Sequence, residues 1–296
     1  MSLKITRASD PITVAQLAVV LYGAPGLGKS TLGFTAKDPL LLDFDRGAYR
    51  AANRGDSVQV EEWLDVVSMN DADLAPYKTV LVDTAGRALD LLSADIIKRN
   101  PKMGRGSALT LQGYGQLKSE FTSWLKNLRT MGKDVVLIAH ASEEKNGDEL
   151  VERLDVQGGS KGEIYKSADC MGRLSLVAGK RVLNFSPTDT AFGKNPAGLQ
   201  PLHVPDVSVS ITFLADTIDA IKEKLNALTE EQKKRQSAIA DWLSRFDEAK
   251  TAEDFNAIVA LIKGESSSIL PIIKGELHKR ATVAGFSYDK KEGAYK

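Results

Sequence analysis

Apolar positions in the first 140 residues gather into four runs, at 17–22, 39–44, 77–84 and 135–139, each framed by glycine, proline or charge. Runs this short and continuous predict buried β-strands rather than helices. Between them the spacing changes. A short helix is expected over 29–36 and a longer one over 85–98. In 114–131, Leu117, Phe121, Trp124, Leu125 and Leu128 share one helical face, and Gly132 is placed to close that helix. Residues 48–70 are mixed, with short strands expected near 58–60 and 66–67. Residues 172–177 and 181–185 read as a hairpin turning at Ala178-Gly179-Lys180. A glycine- and proline-containing loop at 193–198 then leads to 209–211, where the sheet region ends.

Beyond that point the pattern is helical only. Ile218, Ile221, Leu225 and Leu228 keep one face, and Thr229 with Gln232 has capping-box spacing ahead of Ile239, Trp242, Leu243 and Phe246. Thr251 with Asp254 opens a third helix bearing Phe255, Ile258, Val259 and Ile262, a fourth covers 266–281, and the tail from 288 to 296 reads as mobile. The expected fold class is therefore α/β: a core with a mostly parallel sheet flanked by helices over residues 1–215, then a small all-helical C-terminal module over 216–296.

The first strand runs into Gly23-Ala24-Pro25-Gly26-Leu27-Gly28-Lys29-Ser30-Thr31, which matches G-x-x-x-x-G-K-[ST] without deviation. A strand before it and a helix after it are the context in which such a loop wraps phosphate with backbone N–H groups. Lys29 would reach the β and γ phosphates and the Ser30 hydroxyl would sit on Mg²⁺. The third strand ends in Asp83, the acid expected to hold the Mg²⁺ shell with Ser30. Asp43 and Asp45 close the second strand on the side where α/β sheets bind ligands, and the period of two could point both the same way. The expected cofactors are ATP and Mg²⁺, since the Asn-Lys-x-Asp run that guanine recognition needs is absent.

Composition narrows the partners. Lysine plus arginine equals aspartate plus glutamate at 39 each in 296 residues, so any nucleic-acid site must be a local patch. The single cysteine, Cys170, cannot form an internal disulfide and suits a reducing cytoplasm. No run reaches membrane-spanning length and the first eleven residues lack a signal-peptide pattern, so a cytoplasmic protein with no membrane partner is expected.

The order of these motifs over roughly residues 15–200 resembles the RecA-like P-loop ATPases, most closely the small phage ATP-binding proteins of recombination and single-strand annealing. The resemblance implies an ATPase that assembles on single-stranded DNA in the cytoplasm of a bacterial host. It places the water-activating carboxylate at Asp45, where RecA-type proteins usually carry Glu, so turnover is expected to be weak. It places a γ-phosphate sensor at His140, at the end of the fourth core strand. Two irregular segments fall where that family carries DNA-binding loops. The first, 99–112, offers Lys98, Arg99, Lys102 and Arg105. The second, 142–161, offers Lys145, Arg153 and Lys161 and closes on Gly158-Gly159-Ser160-Lys161 ahead of a short helix at 163–168. Glycine-rich cationic loops suit a site that tracks a backbone, although Glu143, Glu144, Asp148, Glu149 and Glu152 oppose this in the second. Lys194-Asn195 resembles the element that reaches a neighbouring subunit's phosphates, which implies a homo-oligomer, ring or filament, with Lys194 acting in trans. The C-terminal lysines, with Arg235, could meet DNA or a single-strand-binding protein. A P-loop kinase acting on a small molecule is the alternative, with the segment from Arg99 to Arg105 as its lid.

Overall fold

The computed structural model describes residues 13–106, 108–147, 149–156, 160–289 and 292–296, and they divide into two compact units, Val14–Leu225 and a C-terminal one over Asn226–Lys296. In the first unit β1 (Ala18–Gly23) leads to α1 (Lys29–Gly33), β2 (Pro39–Asp43), β3 (Ser57–Gln59) and two short helices, α2 (Trp63–Val67) and α3 (Asp71–Leu74). Next come β4 (Thr79–Asp83), α4 (Ala85–Arg99), a two-residue hairpin of β5 (Gly104–Arg105) and β6 (Ala108–Leu109), and α5 (Leu111–Thr130). The remainder is β7 (Asp134–Asn146), β8 (Glu149–Leu154), α6 (Ser160–Ser167), β9 (Cys170–Val177), β10 (Lys180–Asn184), β11 (Leu202–His203) and the start of α7 (Phe213–Glu248).

The sheet order is β11-β10-β9-β1-β7-β4-β2-β3, with β8 paired to the far half of β7. The six strands from β9 to β3 are parallel, and β10 and β11 add an antiparallel edge. Helices cover both faces, and this is why the strands read as unbroken apolar runs. Val20, Leu42, Val80, Val82, Val135 and Leu137 face α4 and α5 in one core. Their neighbours Val19, Leu21, Leu41, Leu81, Val136 and Ile138 join the opposite core with Leu32, Phe34, Leu214, Ile218 and Ile221. Successive strand residues alternate sides, so both sets must be apolar.

Several boundaries differ from expectation, each for a local reason. Val66 and Val67 are helical, not a strand: the Asp65 carboxylate accepts from the backbone N–H groups of Glu61 and Glu62, both at 2.8 Å, and starts α2. The fourth strand does not end near Ala139. It continues to Asn146 and turns back as β8, because Val151 and Leu154 are buried. Val209 and Ile211 are exposed, and the edge strand is β11 instead. No helix starts at Thr229. With neither glycine nor proline between Phe213 and Glu248, α7 is continuous there. The first unit keeps α7 as far as Leu225, because Leu214, Ile218 and Ile221 lie in its core, so the division falls ten residues beyond the one expected at 215.

In the C-terminal unit the end of α7 packs with α8 (Ala252–Ile262) and α9 (Leu270–Val283) around Trp242, Phe246, Phe255, Ile258, Ile262, Ile273 and Leu277. The Thr251–Asp254 capping box is formed, with Asp254 N–H donating to Thr251 Oγ1 at 3.2 Å and Thr251 N–H to the Asp254 carboxylate at 2.9 Å. The described residues of the tail read as mobile are pinned: β12 (Tyr288–Asp289) pairs with β13 (Ala294–Tyr295), and Tyr295 is buried. Among the described residues no helix is long and apolar enough to cross a membrane.

Candidate functional site

The parallel topology sets the C-terminal ends of β1, β7, β4 and β2 side by side, with Gly23 opposite His140, Ile138 opposite Asp83 and Asp83 opposite Asp43. The loop between β1 and α1 turns at Gly26 (φ 79°) and Gly28 (φ 82°), left-handed conformations that favour glycine. Gly23 answers a different need. A Cβ there would stand 2.3 Å from the Leu174 carbonyl of β9, so only glycine lets the two strands close.

Within that loop Lys29 is 5% exposed, and its ammonium donates to the carbonyls of Gly23 and Ala24, both at 2.9 Å. Burial is the main cause that pulls its pKa down, to about 8, against the attraction of Asp83. Lys29 Nζ also lies 3.3 Å from His140 Nδ1. Burial and then the neighbouring ammonium hold the His140 pKa below its usual range, so the ring is neutral at pH 7. Its Nδ1 faces a donor and accepts, which leaves Nε2–H free to donate. The Ser30 hydroxyl donates to Asp83 Oδ2 at 2.5 Å. Burial raises the Asp83 pKa, and the Ser30 hydrogen bond opposes that shift.

Asp43 and Asp45 do different things, because β2 ends at Asp43 and the alternation expected to align them stops there. The buried Asp43 carboxylate accepts from the N–H groups of Gly47 (2.9 Å) and Ala48 (2.8 Å), so it shapes the loop. Asp45 faces the cleft and pairs with Arg50 at 3.2 Å and Arg87 at 3.6 Å. Lys29, Ser30, Asp45, Asp83 and His140 all line one cleft of about 390 Å³. A second hollow of about 320 Å³ shares Asp45 and His140 and adds Arg87, Asp90 and Asp155. Sequence reading missed Arg50, Arg87 and Arg181. The last belongs to β10, and its Nη1 lies 2.9 Å from where a Cβ on Gly28 would stand. All three come from outside the motif, and no local spacing marks them.

Lys194, expected to reach a neighbouring subunit's phosphates, makes contacts within its own chain. Its ammonium donates to the Ala168 carbonyl just after α6, and its backbone pairs with Met171 of β9. The described residues of the segment from 99 to 112 form a 3₁₀ turn, the β5–β6 pair and the start of α5, and its cations sort into two groups. Lys98 pairs with Glu62, and Arg99 with both Asp95 and Glu120. Lys102 and Arg105 are exposed, and no described carboxylate lies within ion-pair distance of either. In the second segment Arg153 stacks over Phe192, 4.1 Å from the ring centre, and donates to the Glu152 carbonyl, while Lys145 stands exposed near the β7–β8 turn. Gly158 and Gly159 lie outside the described residues, as does the side chain of Lys161.

A profile of a family described as an AAA domain matches residues 15–197. The chain belongs to this AAA-domain family. The matched span starts before β1 and ends beyond β10, so the AAA domain takes in the phosphate loop, Asp83, His140 and the β5–β6, β7–β8 and β9–β10 pairs, and it makes this a P-loop ATPase core. Among solved structures, a KaiC-like protein from the hyperthermophilic archaeon Pyrococcus horikoshii OT3 is similar over 58% of this chain and 78% of its own, at 12% identity and a TM-score of 0.35. No curated protein matches the chain.

Proposed function

We propose that the protein binds MgATP in this cleft, hydrolyses it with Asp45 as general base, and couples the cycle to single-stranded DNA, as in phage-type strand annealing and pairing. The observation that carries the nucleotide reading is the convergence of Lys29, the Ser30–Asp83 pair, Asp45 and His140 on a single cleft. The donor set fits Mg²⁺. Among the described residues there is no cluster of three or more acidic, histidine or cysteine side chains able to cage a metal alone. Ser30 and Asp83 instead offer two hard oxygens, and Mg²⁺ usually takes its remaining ligands from water and phosphate. Bound there, the ion would neutralise phosphate charge.

The chain's own groups divide the work. Lys29 holds the phosphates, and Asp45 takes the proton of the attacking water. Its oxygen bonds to the γ-phosphorus as the bond to the β–γ bridging oxygen breaks, and that electron pair leaves with ADP. In this reading His140 Nε2–H donates to the transferred group. DNA in this reading meets Lys102 and Arg105, which have no described carboxylate within ion-pair distance, and Lys145, exposed near the β7–β8 turn. Annealing of complementary labelled oligonucleotides, with and without MgATP, tests the coupling. ATP-independent annealing, or none, would reject it. The second hollow beside Asp45 favours a small acceptor instead, and phosphate transfer to nucleosides on thin-layer plates would establish the kinase reading in its place.

A further inference from the structure

The Lys29 side of the cleft carries one cation from the motif, and the opposite side carries another that belongs to none. Arg50 closes a 3₁₀ turn over Ala48–Arg50, which the Asp43 carboxylate nucleates by accepting from Ala48 N–H. Its guanidinium lines the cleft together with Lys29, Ser30 and Asp45, and its Nη2 lies 3.2 Å from Asp45 Oδ2. Gly47 makes room for it. A Cβ on Gly47 would come within 2.2 Å of Arg50 Nη2, so the guanidinium sits close against that α-carbon. One ion pair occupies only part of a group with five donors. Asp45 also has Arg87 at 3.6 Å, so it keeps a cationic neighbour if Arg50 turns away.

We propose that Arg50 is a catalytic residue supplied in cis, which exchanges Asp45 for the γ-phosphoryl oxygens and stabilises the charge that gathers there during transfer. This rests on the MgATP reading above. In that step the water oxygen bonds to the γ-phosphorus, its proton passes to Asp45, and the bridging oxygen keeps its electron pair and leaves on ADP. Arg50 exchanges no proton and supplies only charge and hydrogen bonds. Leaving Asp45 also frees the Oδ2 oxygen of the base, so one movement serves both groups.

The test compares wild type, Lys29→Ala, Arg50→Ala, Arg50→Lys and Gly47→Ala in single-turnover ATP hydrolysis and in separate binding titrations with MgATP and MgADP. Arg50 is exposed, and Gly47 has φ −108°, which alanine adopts freely, so these variants keep the fold. Arg50→Ala should lose on the order of 10³-fold in rate, the low end of what an arginine contributes to phosphoryl transfer. Its MgADP affinity should stay within about twofold, because ADP lacks the group Arg50 meets. Arg50→Lys keeps the charge without the fork and should recover part of the rate. Gly47→Ala displaces the guanidinium and should slow turnover in the same direction. Added methylguanidinium should restore part of the Arg50→Ala rate. Hydrolysis by Arg50→Ala at or above the wild-type rate would overturn the proposal, since Arg50 would then only restrain Asp45. An equal loss of ADP and ATP affinity would also overturn it, by placing Arg50 away from the γ-phosphate. If wild type binds and turns over no ATP, and so matches Lys29→Ala, the nucleotide reading itself fails and takes this role with it.

Discussion

An ammonium withdrawn from water gives up hydration that two carbonyls only partly replace, and Lys29 carries that cost in the free protein. A triphosphate returns the missing charge, so binding should favour protonated Lys29. The sign follows from a folded pKa of about 8, below the usual lysine value. The charged form is complete below roughly pH 7 and is lost as pH rises through 8, where wild-type MgATP affinity should start to fall, approaching tenfold per pH unit. Titration calorimetry across pH 6.5–9.5 checks this, and a flat profile would remove Lys29 from phosphate contact. Lys29→Ala should abolish binding while circular dichroism stays unchanged, because the contact lies outside both cores. Asp45→Asn keeps the size and removes the proton acceptor. ATP should still bind while turnover falls by about 10²–10⁴-fold. Wild-type turnover in that variant would pass the role to another carboxylate of the cleft.

At the scale of elements, what could be read in the sequence depended on how many faces of a segment are buried. The central strands are covered on both sides, so every position must be apolar and the run shows itself. The β7–β8 hairpin is half wet. Its register sets Glu143 opposite Glu152 and Lys145 opposite Leu150, a pairing that looks like a polar loop until Arg173 is seen bound to Glu152. The phosphate loop was legible because its geometry is wholly local. Arg50, Arg87 and Arg181 were not, since each comes from a different segment: Arg50 to the cleft, Arg87 to the hollow beside Asp45 and Arg181 to Gly28 of the loop. The same limit hid the partner of Lys194, a backbone carbonyl that no residue type announces. The exposed cations of the 3₁₀ turn and β5 also carry a prediction. Lys102→Ala with Arg105→Ala should weaken single-strand binding similarly for all sequences and should lower the log–log salt slope by about 0.7 per lost phosphate contact. A parental slope in a salt titration would place DNA elsewhere. Arg99→Ala should change the slope far less, its charge being already taken up by Asp95 and Glu120.

Across the whole molecule, the two units have separate cores, and every residue of the nucleotide cleft belongs to Val14–Leu225. Stabilisation by ligand should therefore fall on that unit. At 100 times its dissociation constant, MgATP adds about 2.7 kcal/mol to the form that binds it. Differential scanning calorimetry should show the transition of the sheet unit moving upward with MgATP, and no such shift in Lys29→Ala. A shift of the same size in Lys29→Ala would mean that the nucleotide binds outside the cleft. Packing in the sheet unit has its own check. Gly23→Ala drives a methyl into the Leu174 carbonyl, and since backbone cannot step aside as a side chain can, the variant should melt lower even without nucleotide.

The 13 residues of β7 form one uninterrupted strand, with His140 in the cleft and Lys145 out near the hairpin turn. Paired strands resist stretching, so this one acts as a stiff rod about 17 Å long between the cleft and the surface, at the usual rise per residue. A tug on the imidazole by a γ-phosphate would be felt at the lysine without any hinge to absorb it. Amide hydrogen exchange along 141–146 should then report whether ATP or ADP occupies a site that those amides never touch.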